Sequence, residues 1–169
     1  MIHPILTYKR LAPPWRIAWG LLLGSTTYAN ILSITADHFT LYLDQRPGIQ
    51  GLYEGHVEAI DKNIGKNTQH LRAEKLSVIH QERQPTLIAY GQPAVYSQPD
   101  NQLMAHAREI RYFPKRQQLA LYQDAFLLHS HRTLKSHEIH YDLKRQILTT
   151  PTHAQSRTII ELNTGSPSS

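Results

Sequence analysis

Residues 109–119 read EIRYFPKRQQL and residues 138–148 read EIHYDLKRQIL. The two stretches start 29 residues apart and agree at seven of eleven positions without a gap. Ile110 and Tyr112 alternate with polar residues, the period-two pattern of a half-buried strand. Phe113-Pro114-Lys115 is a turn signal, and Leu119 and Leu121 open a returning strand. A weaker copy begins at Ala73-Glu74-Lys75-Leu76-Ser77-Val78 and the weakest at Ala36-Asp37-His38-Phe39-Thr40-Leu41. Each unit is a small residue at a corner, a strand, a turn, a returning strand and another corner. Corners between returning strands fall at Glu54-Gly55-His56-Val57, Tyr90-Gly91-Gln92-Pro93 and Gln123-Asp124-Ala125. A unit this thin cannot bury an apolar face alone, whereas a stack of them encloses a continuous interior.

The same period continues outward from the repeat. Leu76/Val78, Leu103/Ala105/Ala107, Phe126/Leu128 and Ile160/Leu162 each place apolar side chains on one strand face. No window after residue 30 holds an apolar period of 3.6. Turn signals recur at Arg46-Pro47-Gly48, Asp61 to Asn67, Gln92-Pro93 and Gln98-Pro99-Asp100-Asn101. Such spacing indicates an all-β sandwich, barrel or solenoid. Pro93 cannot donate to a ladder and is expected at an edge or a strand start. The first strand, around Ile31 to Thr35, and the last, around Arg157 to Leu162, are expected to be the edges of the stack. Residues 163–169 (NTGSPSS) are expected to be a disordered tail.

The formal charge of +5 comes largely from the N-terminus. Three of the 18 Lys+Arg (Lys9, Arg10, Arg16) and none of the 13 Asp+Glu precede residue 30, which leaves 15 against 13, a net +2. Lys9, Arg10 and Arg16 precede a short apolar run, Ile17 to Gly24, and then Ser25 to Ala29 with Thr27 and Ala29 at the cleavage positions. This is the pattern of a secretory signal peptide over residues 1–29, and a run of some eight apolar residues is too short to span a membrane, which takes about 20. Lys115-Arg116 and Lys144-Arg145 are isolated pairs at turns, so no basic stripe marks a nucleic-acid partner.

The absence of Cys removes disulfides, thiolate metal sites and a Cys nucleophile. His129-Ser130-His131, followed by Glu138, is the best metal motif, since residues two apart on a strand share a face; it is similar to the first metal motif of cupins. The flanking glycines and a second motif are missing. His137 and His140, three apart, would point to opposite faces. No nucleophile elbow, H-E-x-x-H or phosphate loop occurs. The reading is therefore of a protein that is not an enzyme and has no cofactor.

The corner motifs resemble those of the periplasmic lipopolysaccharide-transport protein A family (LptA/OstA-like). An apolar strand, an Ala-Asp corner and a Tyr-x-Gly-x-Val return appear as Ile34-Thr35-Ala36-Asp37 with Gly51-Leu52-Tyr53-Glu54-Gly55-His56-Val57. They return as Leu71-Arg72-Ala73-Glu74-Lys75-Leu76 with Ala89-Tyr90-Gly91-Gln92-Pro93-Ala94, and again as Ala105-His106-Ala107-Arg108-Glu109-Ile110-Arg111-Tyr112. Glu74, Arg108 and His137 stand where the family usually has Asp. The resemblance runs from about Ile31 to Thr150.

The resemblance implies an open, twisted β-jellyroll over residues 30–162, V-shaped in section, with an apolar groove along its length. It implies lipopolysaccharide, held by its lipid A acyl chains, as ligand. Partners would be an inner-membrane LptC-like and an outer-membrane LptD-like protein of similar fold. It also implies head-to-tail homo-oligomers joined by edge strands. The expected groove residues are Leu32, Ile34, Leu76, Val78, Tyr96, Ile110, Tyr112, Phe126 and Leu128. Two other roles fit less of the sequence: a membrane-tethered LptC-like member of the same pathway, and a cupin-like metal-binding jellyroll. The leader reading makes one prediction. The mature protein begins at Asn30 and fractionates with periplasmic contents. N-terminal sequencing that finds residues 1–29 retained on membrane-bound protein would instead identify the tethered relative.

Overall fold

The computed structural model describes residues 30–42, 48–63, 68–81, 84–151 and 158–162. The expected leader, the expected tail and the turn at Arg46-Pro47 lie outside them. Among the described residues the order is β1 (Asn30–Thr35), β2 (His38–Leu41), β3 (Ile49–Asn63), β4 (Gln69–Gln81), β5 (Gln84–Gln98), β6 (Leu103–Phe113), β7 (Gln118–His129), β8 (Arg132–Asp142), β9 (Ile147–Thr149) and β10 (Ile159–Leu162). The only helical element among them is a single 3-10 turn, Pro99–Asn101, so no described helix is long and apolar enough to cross a membrane.

The ten strands form one antiparallel sheet ordered β1-β3-β4-β5-β6-β7-β8-β10, with β2 also on β3 and β9 also on β8. Each long strand is interrupted near its middle by a register shift. The shifts fall at Glu54/Val57, Arg72/Lys75, Tyr90/Ala94, His106/Glu109 and Tyr122/Ala125, in line across the sheet. The line divides the sheet into two half-sheets, one flanked by β1 and β10, the other by β2 and β9. Bulges bend a strand and increase its local twist, so an aligned row of them folds the whole sheet. The corners expected at Gly55-His56, Gly91-Gln92-Pro93 and Gln123-Asp124 all lie on this line.

Inner faces of both half-sheets form one core. On the half-sheet flanked by β1 and β10 the residues beside the bend are small: Ala94 pairs with Ala107, Val57 with Ala73, and Ala125 with Ser136. On the other half-sheet Leu76, Ile110, Leu121 and Ile139 adjoin the same register shifts and are almost wholly buried, as are Leu87 and Tyr112 farther out and Tyr96 on the first half-sheet. Small residues on one side of the junction leave room for the large ones on the other, which fits the small residue that the repeat carries at each corner.

Two expectations are corrected. Pro93 lies inside the central strand β5 rather than at an edge, because at the bulge between Tyr90 and Ala94 no ladder donor is needed. The turn expected from Asp61 onward starts later: Asp61 to Asn63 are still strand, paired to β1 and, through Asp61, to β4. The turns at Pro114–Gln117 and Leu143–Gln146 hold the Lys-Arg pairs, as expected. Both close on a Gln of left-handed conformation, φ 52° at Gln117 and 56° at Gln146.

The Ala36-Asp37 corner is stitched to the β3 corner. The Asp37 amide donates to the Gly55 carbonyl at 3.0 Å, and His56 Nδ1 lies 2.7 Å from Asp37 Oδ2. Gly55 has φ +75°, and a β-carbon there would run into the Asp37 side chain. Gly55→Ala is therefore expected to lower stability by about 1–2 kcal/mol, the cost of a left-handed Ala. Urea unfolding with an unchanged midpoint would show that the corner relaxes without cost.

Candidate lipid-binding interior

Alternation along each strand sends every second side chain inward, and the bulges decide where the alternation restarts. In β6 the inward residues are Leu103, Ala105 and Ala107 before the bend and Ile110 and Tyr112 after it. Phase flips there. In β7 Leu119 and Leu121 are followed by Ala125 and Leu127, so phase is kept. The difference lies in the corner: β7 carries two consecutive left-handed residues, Gln123 (φ 62°) and Asp124 (φ 55°), as β3 does at Gly55 and His56.

Of the expected groove residues, Leu76, Val78, Tyr96, Ile110 and Tyr112 lie in the shared core. Leu32 and Ile34 are partly exposed on β1 and pack against that core, opposite Asp61 and Ala59. Phe126 and Leu128 correct the sequence reading. They alternate with the buried Ala125 and Leu127 and therefore stand on the outer face, where Phe126 stacks on His106 at 4.5 Å. The phase kept at the β7 corner puts them there.

The inner face carries polar groups that sequence reading passed over. Tyr112 donates to Asp61 Oδ2 at 2.7 Å, joining the second half-sheet to the first. Tyr96 donates to Gln69 Oε1 at 2.8 Å, and its ring lies 5.7 Å from that of Tyr112. Tyr141, the counterpart of Tyr112 in the repeat, is hydrogen-bonded to His129 Nδ1 across the two half-sheets at 3.2 Å. These pairs lie away from the bend, toward the mouth of the folded sheet. The signal for Asp61 was present as the alternation Val57, Ala59, Asp61, but an Asp before a Gly-bearing stretch reads first as a turn.

Burial pushes the Tyr96 and Tyr112 phenols far above their ordinary 10.0, so both stay protonated donors. Burial also raises the Asp61 carboxyl above its ordinary 3.8, while the Tyr112 hydrogen bond pulls it down. A narrow recess with room for about one water-sized group lies among these groups and Leu32.

The metal motif loses its geometric premise. His129 ends β7, and Ser130, with φ 57°, and His131 make the turn to β8, so the two His do not share a strand face. His140 instead binds Glu138 at 2.6 Å. No cluster of three or more metal-ligating side chains occurs among the described residues. Several outward cations are paired with acids: Arg72 with Glu58, Lys75 with Glu54, Arg108 with Asp124 and Arg111 with Glu109.

The edges are as expected from the sequence. Among the described residues β1 and β2 pair only with β3, and β9 and β10 only with β8. At these edges the inward alternation ends on exposed apolar side chains, Phe39 and Leu41 on β2 and Ile160 on β10.

The model of the family described as LptA/(LptD N-terminal domain) LPS transport protein matches residues 33–147, more than half of the chain. The chain belongs to this family. Among solved structures it is similar to LptH of Pseudomonas aeruginosa, described as the LptA-homologous periplasmic component of a conserved lipopolysaccharide transport device. The two are 22% identical, with a TM-score of 0.61 over 77% of this chain and 94% of that one, a likeness of fold. No curated protein sequence matches. The folded antiparallel sheet is thus the LptA fold, in agreement with the all-β jellyroll expected from the sequence.

Asp61 makes stability depend on pH in a definite sense. Its folded-state value is raised, so the folded state holds the proton more tightly than the unfolded chain. The contribution is full below about 3.8 and is lost as pH rises through the folded value. Asp61→Asn removes that loss and keeps an acceptor for Tyr112. Urea midpoints should shift in favour of the variant as pH rises from 3.8 through this window and stay level above it. A difference independent of pH would mean that Asp61 does not titrate abnormally.

Proposed function

We propose that this chain is a periplasmic carrier and bridge for lipopolysaccharide, receiving it from an inner-membrane LptC-like partner and passing it to an outer-membrane LptD-like partner. The observation that carries this reading is the inner apolar face, which runs across every long strand and ends on incompletely buried apolar residues at both edges. Acyl chains need a dry apolar surface and no catalytic group. The free edge strands supply the rest. An unpaired edge is a template for another strand, and pairing of two unlike ends is heterologous and propagates head to tail. Strand addition would cover Phe39 or Ile160 and join one inner face to the next.

In this reading Leu32 and Ile34 meet the acyl chains first. Leu76, Val78, Tyr96, Ile110 and Tyr112 become accessible only when the two half-sheets part at the mouth. Phe126 and Leu128, on the outer face, take no part.

A photo-crosslinking residue at Ile34 in living cells tests the proposal. It should capture lipopolysaccharide, whereas the same residue at Phe126 should not. Ile34→Asp should weaken binding roughly tenfold or more with little loss of stability, because a partly exposed carboxylate reaches water. No adduct at Ile34, or equal capture at Phe126, would sink the assignment of the inner face.

A further inference from the structure

We propose that Asp61 and the recess beside it form a subsite for a hydrogen-bond donor, a hydroxyl or amide N–H, carried on an acyl chain of the bound lipid. The inference deepens the carrier reading and rests on it. Asp61 is 4% exposed in an interior built mainly from apolar side chains. Its Oδ2 accepts from Tyr112, while its Oδ1 is buried with no hydrogen-bond partner among the described residues. Buried polar atoms are almost always paired, and an unpaired carboxylate oxygen is costly. The nearby phenol of Tyr96 is already committed to Gln69. Oδ1 is therefore an acceptor that no described residue uses.

The recess is bordered by Leu32, Asp61, Gln69, Leu71, Tyr96 and Tyr112. The recess has room for about one water-sized group, the donor itself and not a sugar head group. Leu32 sits directly across from Asp61 in the β1–β3 pair, so the recess lies at the free N-terminal edge, beside the point where the lipid is proposed to make first contact. Sites built to hydrogen-bond a ligand group reject the analogue lacking it far more strongly than apolar sites distinguish chain length.

Equilibrium binding of the full chain to two amphiphiles tests the subsite. One is a 3-hydroxytetradecanoyl ester of a sugar, the other the tetradecanoyl ester of the same sugar. The parent should prefer the hydroxylated probe roughly tenfold or more, in line with pairing a buried acceptor that is otherwise left unsatisfied. Asp61→Leu, of similar shape without polar atoms, should bind both alike while retaining affinity for the plain chain. Asp61→Asn, which keeps one acceptor, should fall between. Equal binding of both probes by the parent would overturn the donor subsite and leave the carrier reading standing. Preference that survives Asp61→Leu would also overturn it. Binding of neither probe would overturn both.

Discussion

Two half-sheets can share an interior only if every long strand bends at the same level, and on one side of that bend the inward side chains are small. Ala94 against Ala107 and Ala125 against Ser136 keep the junction thin. On the other half-sheet the larger Leu76, Ile110, Leu121 and Ile139 stand beside the same bend, with Tyr112 and Tyr141 farther toward the mouth. Close packing along the bend thus governs both the shape of the core and the place where it opens.

At the mouth the chemistry changes. Tyr112 with Asp61 and Tyr141 with His129 hold the half-sheets together by hydrogen bonds rather than by apolar contact alone. A hydrogen bond adds only about 1 kcal/mol net to stability, so a mouth closed in this way separates at lower cost than a packed apolar seam. The edges follow the same economy of structure. Among the described residues the stack ends on strands with one free edge and apolar side chains at their inner faces.

Much of this was legible in the chain. The gap-free return of EIRYFPKRQQL as EIHYDLKRQIL located two strand-turn-strand units, and the small residues before them located the bends. The corner motifs around Gly55, Gly91 and Asp124 and the two edge strands followed from the same repeat. Strand period and composition suffice for these because each depends on neighbours close in sequence.

Facing and partnership were decided only in three dimensions. A period-two reading does not fix the phase beyond a corner, since one bulge shifts the alternation and another, with two left-handed residues, preserves it. Phe126 and Leu128 therefore face outward although they alternate as regularly as Leu119 and Leu121. Asp61 looks like the start of a turn until Tyr112, 51 residues away, reaches it across the interior. His129 and His131 look like a metal pair until the Ser130-His131 turn takes the second off the strand and Tyr141 takes the first. The sequence by itself determined the strands, the bends and the open ends, through local alternation and the size of the corner residues. The tertiary structure alone decided which side chains enter the interior and which polar groups meet there, because both depend on backbone geometry at the corners and on contacts distant in sequence.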